Sequence, residues 1–190
     1  MPGRMVAIVG TSSVGKTTVA EHLQTIMPSP YLVVGLDHFL NMFPQRWSGQ
    51  DWGPGPGMWY HDTVDPDGHP RTRIRYGDAG ARLLAGMRAA VRALLDTGND
   101  VILDEMPLDE TILPAWRREL ADYDVVWVWL HAPLGLVERR EAQRTRGQKI
   151  GNARGHLHLT AGETYDLELD VSSLTPVAAA EAILAAVRAS

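Results

Sequence analysis

Met5-Val-Ala-Ile-Val-Gly-Thr-Ser-Ser-Val-Gly-Lys-Thr-Thr18 decides how the rest of the chain is read. Met5 to Val9 is an unbroken apolar run, the pattern of a strand buried on both faces. It breaks at Gly10, and a helical pattern resumes after Lys16. The break spells G-x-x-x-x-G-K-T from Gly10 to Thr17, the phosphate-binding loop pattern. Gly10 and Gly15 let the backbone curl so that successive N–H groups point into one concavity. The N-terminus of the following helix adds unpaired N–H groups and a positive dipole end. Lys16 can reach the β- and γ-phosphates, and the Thr17 hydroxyl can ligate Mg²⁺. Lys16 is one of only two lysines, the other being Lys149. Gly10, Thr11, Ser12, Ser13, Val14, Gly15, Lys16, Thr17 and Thr18 are therefore read as a nucleoside triphosphate site.

Outward from this loop, strands and helices alternate. A helix over 17–27 ends at Pro28-Ser-Pro30, and 31–36 is a second buried strand with Asp37-His38 at its carboxyl end. Phe39, Leu40 and Phe43 suggest a short helix ending before Pro44. The composition then changes over 44–76, where Gly53-Pro-Gly-Pro-Gly57 forbids regular structure and Trp47, Trp52, Trp59 and Tyr60 crowd together. Within it, 58–64 and 71–76 flank the turn-rich Asp65-Pro-Asp-Gly-His-Pro70 and predict a small hairpin. A long helix follows over 77–97, then a third strand over 100–104, a helix over 109–121 and a fourth strand over 125–130. A helix from 134 to about 145 has a basic end, and 147–162 is poor in apolar residues. A fifth strand over 165–171 and a last helix over 177–189, capped by Thr175-Pro176, complete the pattern. Such alternation after a phosphate loop predicts an α/β fold: a five-stranded parallel sheet with helices on both faces. We expect one domain over 1–190, with a substrate-binding insertion at about 44–76 and a lid at about 139–162.

The 190 residues are enough to bury a real core, and 45% hydrophobic with 22% charged residues fits a globular protein. A formal charge of −5 argues against nucleic acid as the partner. Without cysteine there are no disulfides or thiolate metal sites. No apolar run approaches the ~18 residues of a membrane span, and the first strand is too short for a signal peptide, so a cytoplasmic protein is expected. Homo-oligomerisation stays open.

In a parallel α/β sheet ligands gather outside the carboxyl ends of the strands. Asp37 ends the second strand, where a carboxylate near the γ-phosphate could take the proton of an attacking hydroxyl. Helix capping is the bland reading of the same residue. Asp104-Glu105 ends the third strand. Asp104 is expected in the shell of Mg²⁺ through water, with Glu105 facing the substrate. Arg139, Arg140, Arg144 and Arg146 end the helix after strand four. Arg140 and Arg144 are four apart and would share a helical face, either against the nucleotide phosphates or as solvated partners of Glu138 and Glu141. The glycines that follow, Gly147, Gly151 and Gly155, favour a mobile lid. His156 and His158 lack metal-site spacing. Trp47 and Trp59 are expected to wall a pocket for an amphipathic, partly aromatic acceptor.

Taken in order, several motifs resemble the chloramphenicol phosphotransferases, small kinases related in fold to the nucleoside monophosphate, shikimate and gluconate kinases. They are Gly10 to Thr17, Val34-Gly-Leu-Asp37, Val101-Ile-Leu-Asp-Glu105, Arg140-Glu-Ala-Gln-Arg144 and Tyr165-Asp-Leu-Glu-Leu-Asp170. The resemblance spans nearly the whole chain and implies a P-loop NTPase of the nucleoside monophosphate kinase-like type. It also implies ATP and Mg²⁺ at the loop, Asp37 as general base, and Arg140 and Arg144 as lid arginines, one near adenine and one near the phosphates. The family phosphorylates a primary hydroxyl of chloramphenicol and so inactivates it. The segment 44–76, with its tryptophans and Gly-Pro repeat, departs from the family, and an acceptor would be chosen there. A metabolic kinase for a nucleoside, shikimate- or gluconate-type acceptor is the nearest alternative, and a nucleotide-binding switch a further one.

Overall fold

The computed structural model describes residues 1–49, 53–145 and 147–189, so Trp52 and Arg146 fall outside the described residues. In chain order its strands are β1 (Met5–Val9), β2 (Tyr31–Gly35), β3 (Ser48–Gly49), β4 (Met58–Val64), β5 (Pro70–Tyr76), β6 (Asp100–Glu105), β7 (Val125–His131) and β8 (Leu167–Asp170). The helices are α1 (Lys16–Ile26), α2 (Leu36–Leu40), α3 (Asp78–Asp96), α4 (Ile112–Glu119), α5 (Leu134–Ala142), α6 (Asn152–His156) and α7 (Pro176–Ala189). Five strands form one parallel sheet in the order β2-β6-β1-β7-β8. β1 lies at its centre, with all five residues buried, as its apolar run requires.

Alternation along the central strands sends side chains into two cores. Val6 and Ile8 of β1, Ile102 of β6 and Val126 and Val128 of β7 meet α1 and α7 through Leu23, Ala180 and Ile183. Met5, Ala7 and Val9, with Val101 and Leu103, meet α3 and α4 through Met87, Val91 and Trp116 on the other face. Burying each of these large side chains is worth about 1.5–3 kcal/mol, which ties all four helices to one sheet. The expected architecture is present.

Several boundaries differ from expectation. α4 begins at Ile112 rather than at 109, because the Asp109 carboxylate turns the chain by accepting the Thr111 N–H (2.8 Å) and hydroxyl (2.6 Å). α5 stops at Ala142, so Arg144 lies beyond the helix and does not share its face with Arg140. β8 covers only Leu167–Asp170. The glycine-containing stretch 147–162 is not an open loop: it contains α6 and a turn of 3₁₀ helix over Leu157–Leu159.

The predicted hairpin is there, with β4 and β5 paired antiparallel from Met58↔Tyr76 to Val64↔Pro70. α6 covers the free edge of β5. Thr72 N–H donates to the Gly151 carbonyl (2.9 Å), the Thr72 hydroxyl to the Ile150 carbonyl (2.8 Å) and Ile74 N–H to His156 Nε2 (3.2 Å). The approach needs a glycine: a Cβ on Gly155 would stand 1.7 Å from the Thr72 carbonyl oxygen. An edge strand left bare would offer unpaired N–H and C=O groups, and α6 removes that liability.

Candidate active site

The phosphate-loop segment runs from the end of β1 to the start of α1. Gly15 sits at φ +108° and Ser13 at φ +61°, so the backbone curls as the glycine spacing predicts. A Cβ at Gly10 would meet the Leu130 carbonyl oxygen at 2.6 Å and Val14 Cγ1 at 2.9 Å. The first glycine is thus demanded by the packing of the loop against β7. Thr11, Ser12, Val14 and Lys16 are buried, whereas Thr17 and Thr18 are exposed on the first turn of α1. Ser13 Oγ is buried and has no hydrogen-bond partner among the described residues. A buried, unpaired hydroxyl in a backbone cradle is what a phosphate oxygen would satisfy, so the loop fits a nucleotide phosphate.

Three charged or polar groups converge beside it. Lys16 Nζ donates to the Thr11 carbonyl (3.0 Å) and lies 3.8 Å from Asp104 Oδ1. Thr17 Oγ1 donates to Asp104 Oδ2 (2.6 Å). Parallel registers make this meeting: Ile8 is level with Asp104 and Gly35 with Asp104, so β6 delivers its carboxylate between the loop and the end of β2. Thr17 and Asp104 form a hard-oxygen pair of the kind that holds Mg²⁺ with a nucleotide. Among the described residues no cluster of three or more His, Asp or Glu side chains could hold a metal without such help.

Asp37 stands on the first turn of α2, exposed, two residues past Gly35. Gly35, rather than Asp37, is the capping position, and His38 Nδ1 accepts the Gly35 N–H (3.0 Å). His38 therefore serves local capping, and the Asp37 carboxylate is left for other work. Tyr60 of β4 reports what stands near it. Burial pushes the Tyr60 phenol up, the Asp37 carboxylate adds to that rise, and the Arg144 guanidinium opposes it. Asp37, Tyr60 and Arg144 thus share one mouth. Lys149 Nζ lies 4.9 Å from the Tyr60 ring centroid and donates to Asp62 Oδ2 (2.8 Å). That bond holds the Asp62 carboxyl below its usual range.

Other expected site residues are placed differently. Glu105 does not face a substrate: it is buried, and its carboxylate accepts the Trp116 indole N–H (2.6 Å) from α4. Burial pushes its carboxyl up to about 7. Trp59 lies on the hairpin face opposite Tyr60, level with Arg75, and Trp47 is exposed on a 3₁₀ turn under Arg46. Alternation in β4 therefore brings Tyr60, not Trp59, towards Asp37. Arg140 is committed to backbone: Nη1 donates to the Val14 carbonyl (3.0 Å) and Nη2 to the Val171 carbonyl (3.1 Å). It braces the phosphate loop against the end of β8.

Sequence reasoning missed Glu141. Its carboxylate, 2% exposed, accepts the N–H groups of Gly151 (2.7 Å) and Ala153 (2.8 Å) at the start of α6. Thr11 Oγ1 donates to the Ala153 carbonyl (2.7 Å). A continuous path of hydrogen bonds thus links α5, α6, the phosphate loop and, through Thr72 and Ile74, the hairpin. The neighbouring Glu138 pairs with Arg154 (2.7 Å), not with the arginines of its own helix. Nothing in the local sequence separates Glu141 from an ordinary solvated helix residue.

The sheet order, the loop and the convergent Lys16, Thr17 and Asp104 define a domain of the P-loop kinase class. The chain belongs to the chloramphenicol phosphotransferase-like family, whose pattern it matches over residues 3–188. A protein of Mycobacterium tuberculosis strain H37Rv with the provisional name O-phosphotransferase is 28% identical over 187 residues, covering 92% of this chain and 77% of the relative. The APS kinase of M. tuberculosis, solved with AMPPNP and APS, is similar in fold, with a TM-score of 0.67 and 18% identity over 98% of both chains. A tunicamycin resistance protein of Deinococcus radiodurans is similar with a TM-score of 0.63 and 19% identity, over 97% of this chain and 95% of that one.

Proposed function

We propose that this protein transfers the γ-phosphoryl group of ATP to an alcohol hydroxyl of a small molecule. The observation that carries the proposal is the exposed Asp37 carboxylate one strand away from the joined Lys16, Thr17 and Asp104. The acceptor oxygen forms its bond to the γ-phosphorus as the bond to the β-bridging oxygen breaks, and ADP departs. Asp37 takes the hydroxyl proton. Lys16 exchanges its bond to the Thr11 carbonyl for the phosphate oxygens and stabilises the developing charge. Thr17 and, through water, Asp104 would hold Mg²⁺, which supplies charge neutralisation across the β- and γ-phosphates. Arg144, exposed at the same mouth, is placed for the same purpose, and Arg140 keeps the loop in shape.

The family's name supports an antibiotic acceptor, chloramphenicol or a related natural product, with inactivation as the outcome. A second reading, a metabolic kinase for an anionic acceptor, draws on Lys149 and Arg144 beside Tyr60. One assay separates them: ATP consumption with Mg²⁺ and a panel of chloramphenicol, other hydroxyl-bearing antibiotics, nucleosides and sugar acids. A phosphorylated antibiotic supports the first reading and a phosphorylated anionic metabolite the second. Tight ATP binding with no acceptor phosphorylated would count against transfer altogether and favour a nucleotide switch.

A further inference from the structure

Beside α6, the hairpin and the end of β7 line an open pocket of about 560 Å³. Its lining is drawn from the hairpin, α6 and the stretch after it, and the end of β7, and includes none of Lys16, Thr17, Asp37 and Asp104. Its floor is aromatic. The Trp129 ring lies 4.5 Å from that of His131 and is stacked at 5.6 Å on Tyr165, which holds it in one orientation. Leu157 and Ala132 supply apolar walls.

The charges around the cavity do not balance. Asp65, its one lining carboxylate, is fully engaged: Oδ1 accepts the N–H groups of Asp67 (3.0 Å) and His69 (2.8 Å), and Oδ2 accepts from Arg154 Nη1 (2.7 Å). Arg154 is in turn neutralised by that bond and by Glu138 (2.7 Å). Arg71 has no such partner. Among the described residues its guanidinium makes no ion pair and no hydrogen bond, yet it lines the cavity and is only half-exposed.

Arg73, two residues on and on the same side of β5, adds to the excess. Its Nη2 lies 2.8 Å from His158 Nε2, and its Nε is buried without a partner. His158 is a further cavity residue, and burial together with the Arg73 and Arg71 guanidinium groups holds its imidazole below the usual range. Glu110, 3.7 Å from His158, has a largely exposed side chain and offsets little of this charge.

We infer that this cavity is a binding site for an organic anion with a planar aromatic body, stacked on Trp129 and His131 with its carboxylate, sulfonate or phosphate ester on Arg71. A guanidinium without a counter-ion beside an apolar, aromatic floor is complementary to both halves of such a molecule. A ligand there also joins three elements, since Arg71 belongs to β5, Leu157 and His158 to the turn after α6, and Trp129 to β7.

The test compares 1-naphthoate with its neutral isostere 1-naphthamide by calorimetric titration of the whole chain. Wild type is expected to bind the naphthoate about tenfold or more tightly than the amide. Arg71→Ala should erase that preference, Arg71→Lys should keep part of it, and Trp129→Leu should weaken both ligands alike. Lys16→Ala should leave naphthoate binding unchanged, and circular dichroism establishes that each variant is folded. Equal affinity for acid and amide, or no saturable binding of either, overturns the inference. So does a preference that survives Arg71→Ala, or one lost in Lys16→Ala, which would move the anion to the phosphate loop. Because none of these readouts is turnover, the result stands apart from the fate of the kinase proposal.

Discussion

Asp37 and Arg140 show how differently two functional candidates are used once their partners are known. Asp37 is exposed and leaves its capping position to Gly35, so its carboxylate is available as a base. Asp37→Asn is expected to lower turnover by about 10²–10⁴-fold while nucleotide affinity, read by titration, changes little. An unimpaired Asn variant, or one that loses ATP binding in parallel, would remove the base from the mechanism. Arg140 makes charge-assisted bonds to two backbone carbonyls that stand 157 positions apart in sequence, Val14 and Val171. Arg140→Ala should therefore cost stability, about 2 kcal/mol for the half-buried pair of bonds, and weaken nucleotide binding by loosening the loop. Unchanged thermal stability together with a pure loss of turnover would mean that the guanidinium acts on phosphate instead.

At the scale of elements, the device to test is the docking of α6 on the edge of β5. α6 has five residues, too few to be a stable helix alone, so its conformation depends on Glu141 at one end and the hairpin edge along its side. Gly155→Ala puts a methyl group against the Thr72 carbonyl, where β5 cannot retreat without giving up its bonds to Gly151 and His156. We expect a loss of about 1–3 kcal/mol, with faster amide exchange at Thr72 and Ile74 while β1 and β6 keep their protection. Exchange at Thr72 and Ile74 equal to wild type would show that the edge is not held by this helix. By sequence alone Gly155 marks a mobile lid; in the structure its missing side chain is what lets the segment pack.

Across the whole molecule, two buried titratable groups oppose each other. His156 is fully buried, Nε2 accepting the Ile74 N–H and Nδ1 donating to the Asn152 carbonyl (2.9 Å), so only the neutral ring fits. Burial, more than any charge, lowers its pKa to about 4. The unfolded chain binds this proton first, so the contribution is complete above pH ~6.5 and is lost as pH falls towards 4, about 3 kcal/mol in all. Glu105 has the reverse sign. With its carboxyl raised to about 7, the folded chain binds that proton first, and its contribution is present below pH ~4.5 and lost as pH rises through 7. Between these limits the two slopes offset one another. Chemical denaturation of wild type and His156→Gln from pH 4 to 7 should therefore show stability falling more steeply with pH in the variant. Parallel curves would mean that His156 titrates as it does in the unfolded chain.

Local patterns determined the sheet and its loop. The apolar run of β1, the Gly10 to Thr17 spacing and the strand endings at Asp37 and Asp104 need only near neighbours to be meaningful, because strand period and loop curvature are local properties. The meeting of Lys16, Thr17 and Asp104 followed from them, since parallel register brings strand ends together. What the chain leaves open until it folds is every partnership across large separations. Glu141 caps α6, Glu105 turns inward to Trp116, Arg140 braces the loop and, among the described residues, Arg71 is left without a counter-ion. A charged side chain carries the same letter whether it ends in water, on a backbone amide or beside a cavity. Only tertiary packing decides which, because desolvation and hydrogen-bond geometry are set by residues that are remote in sequence.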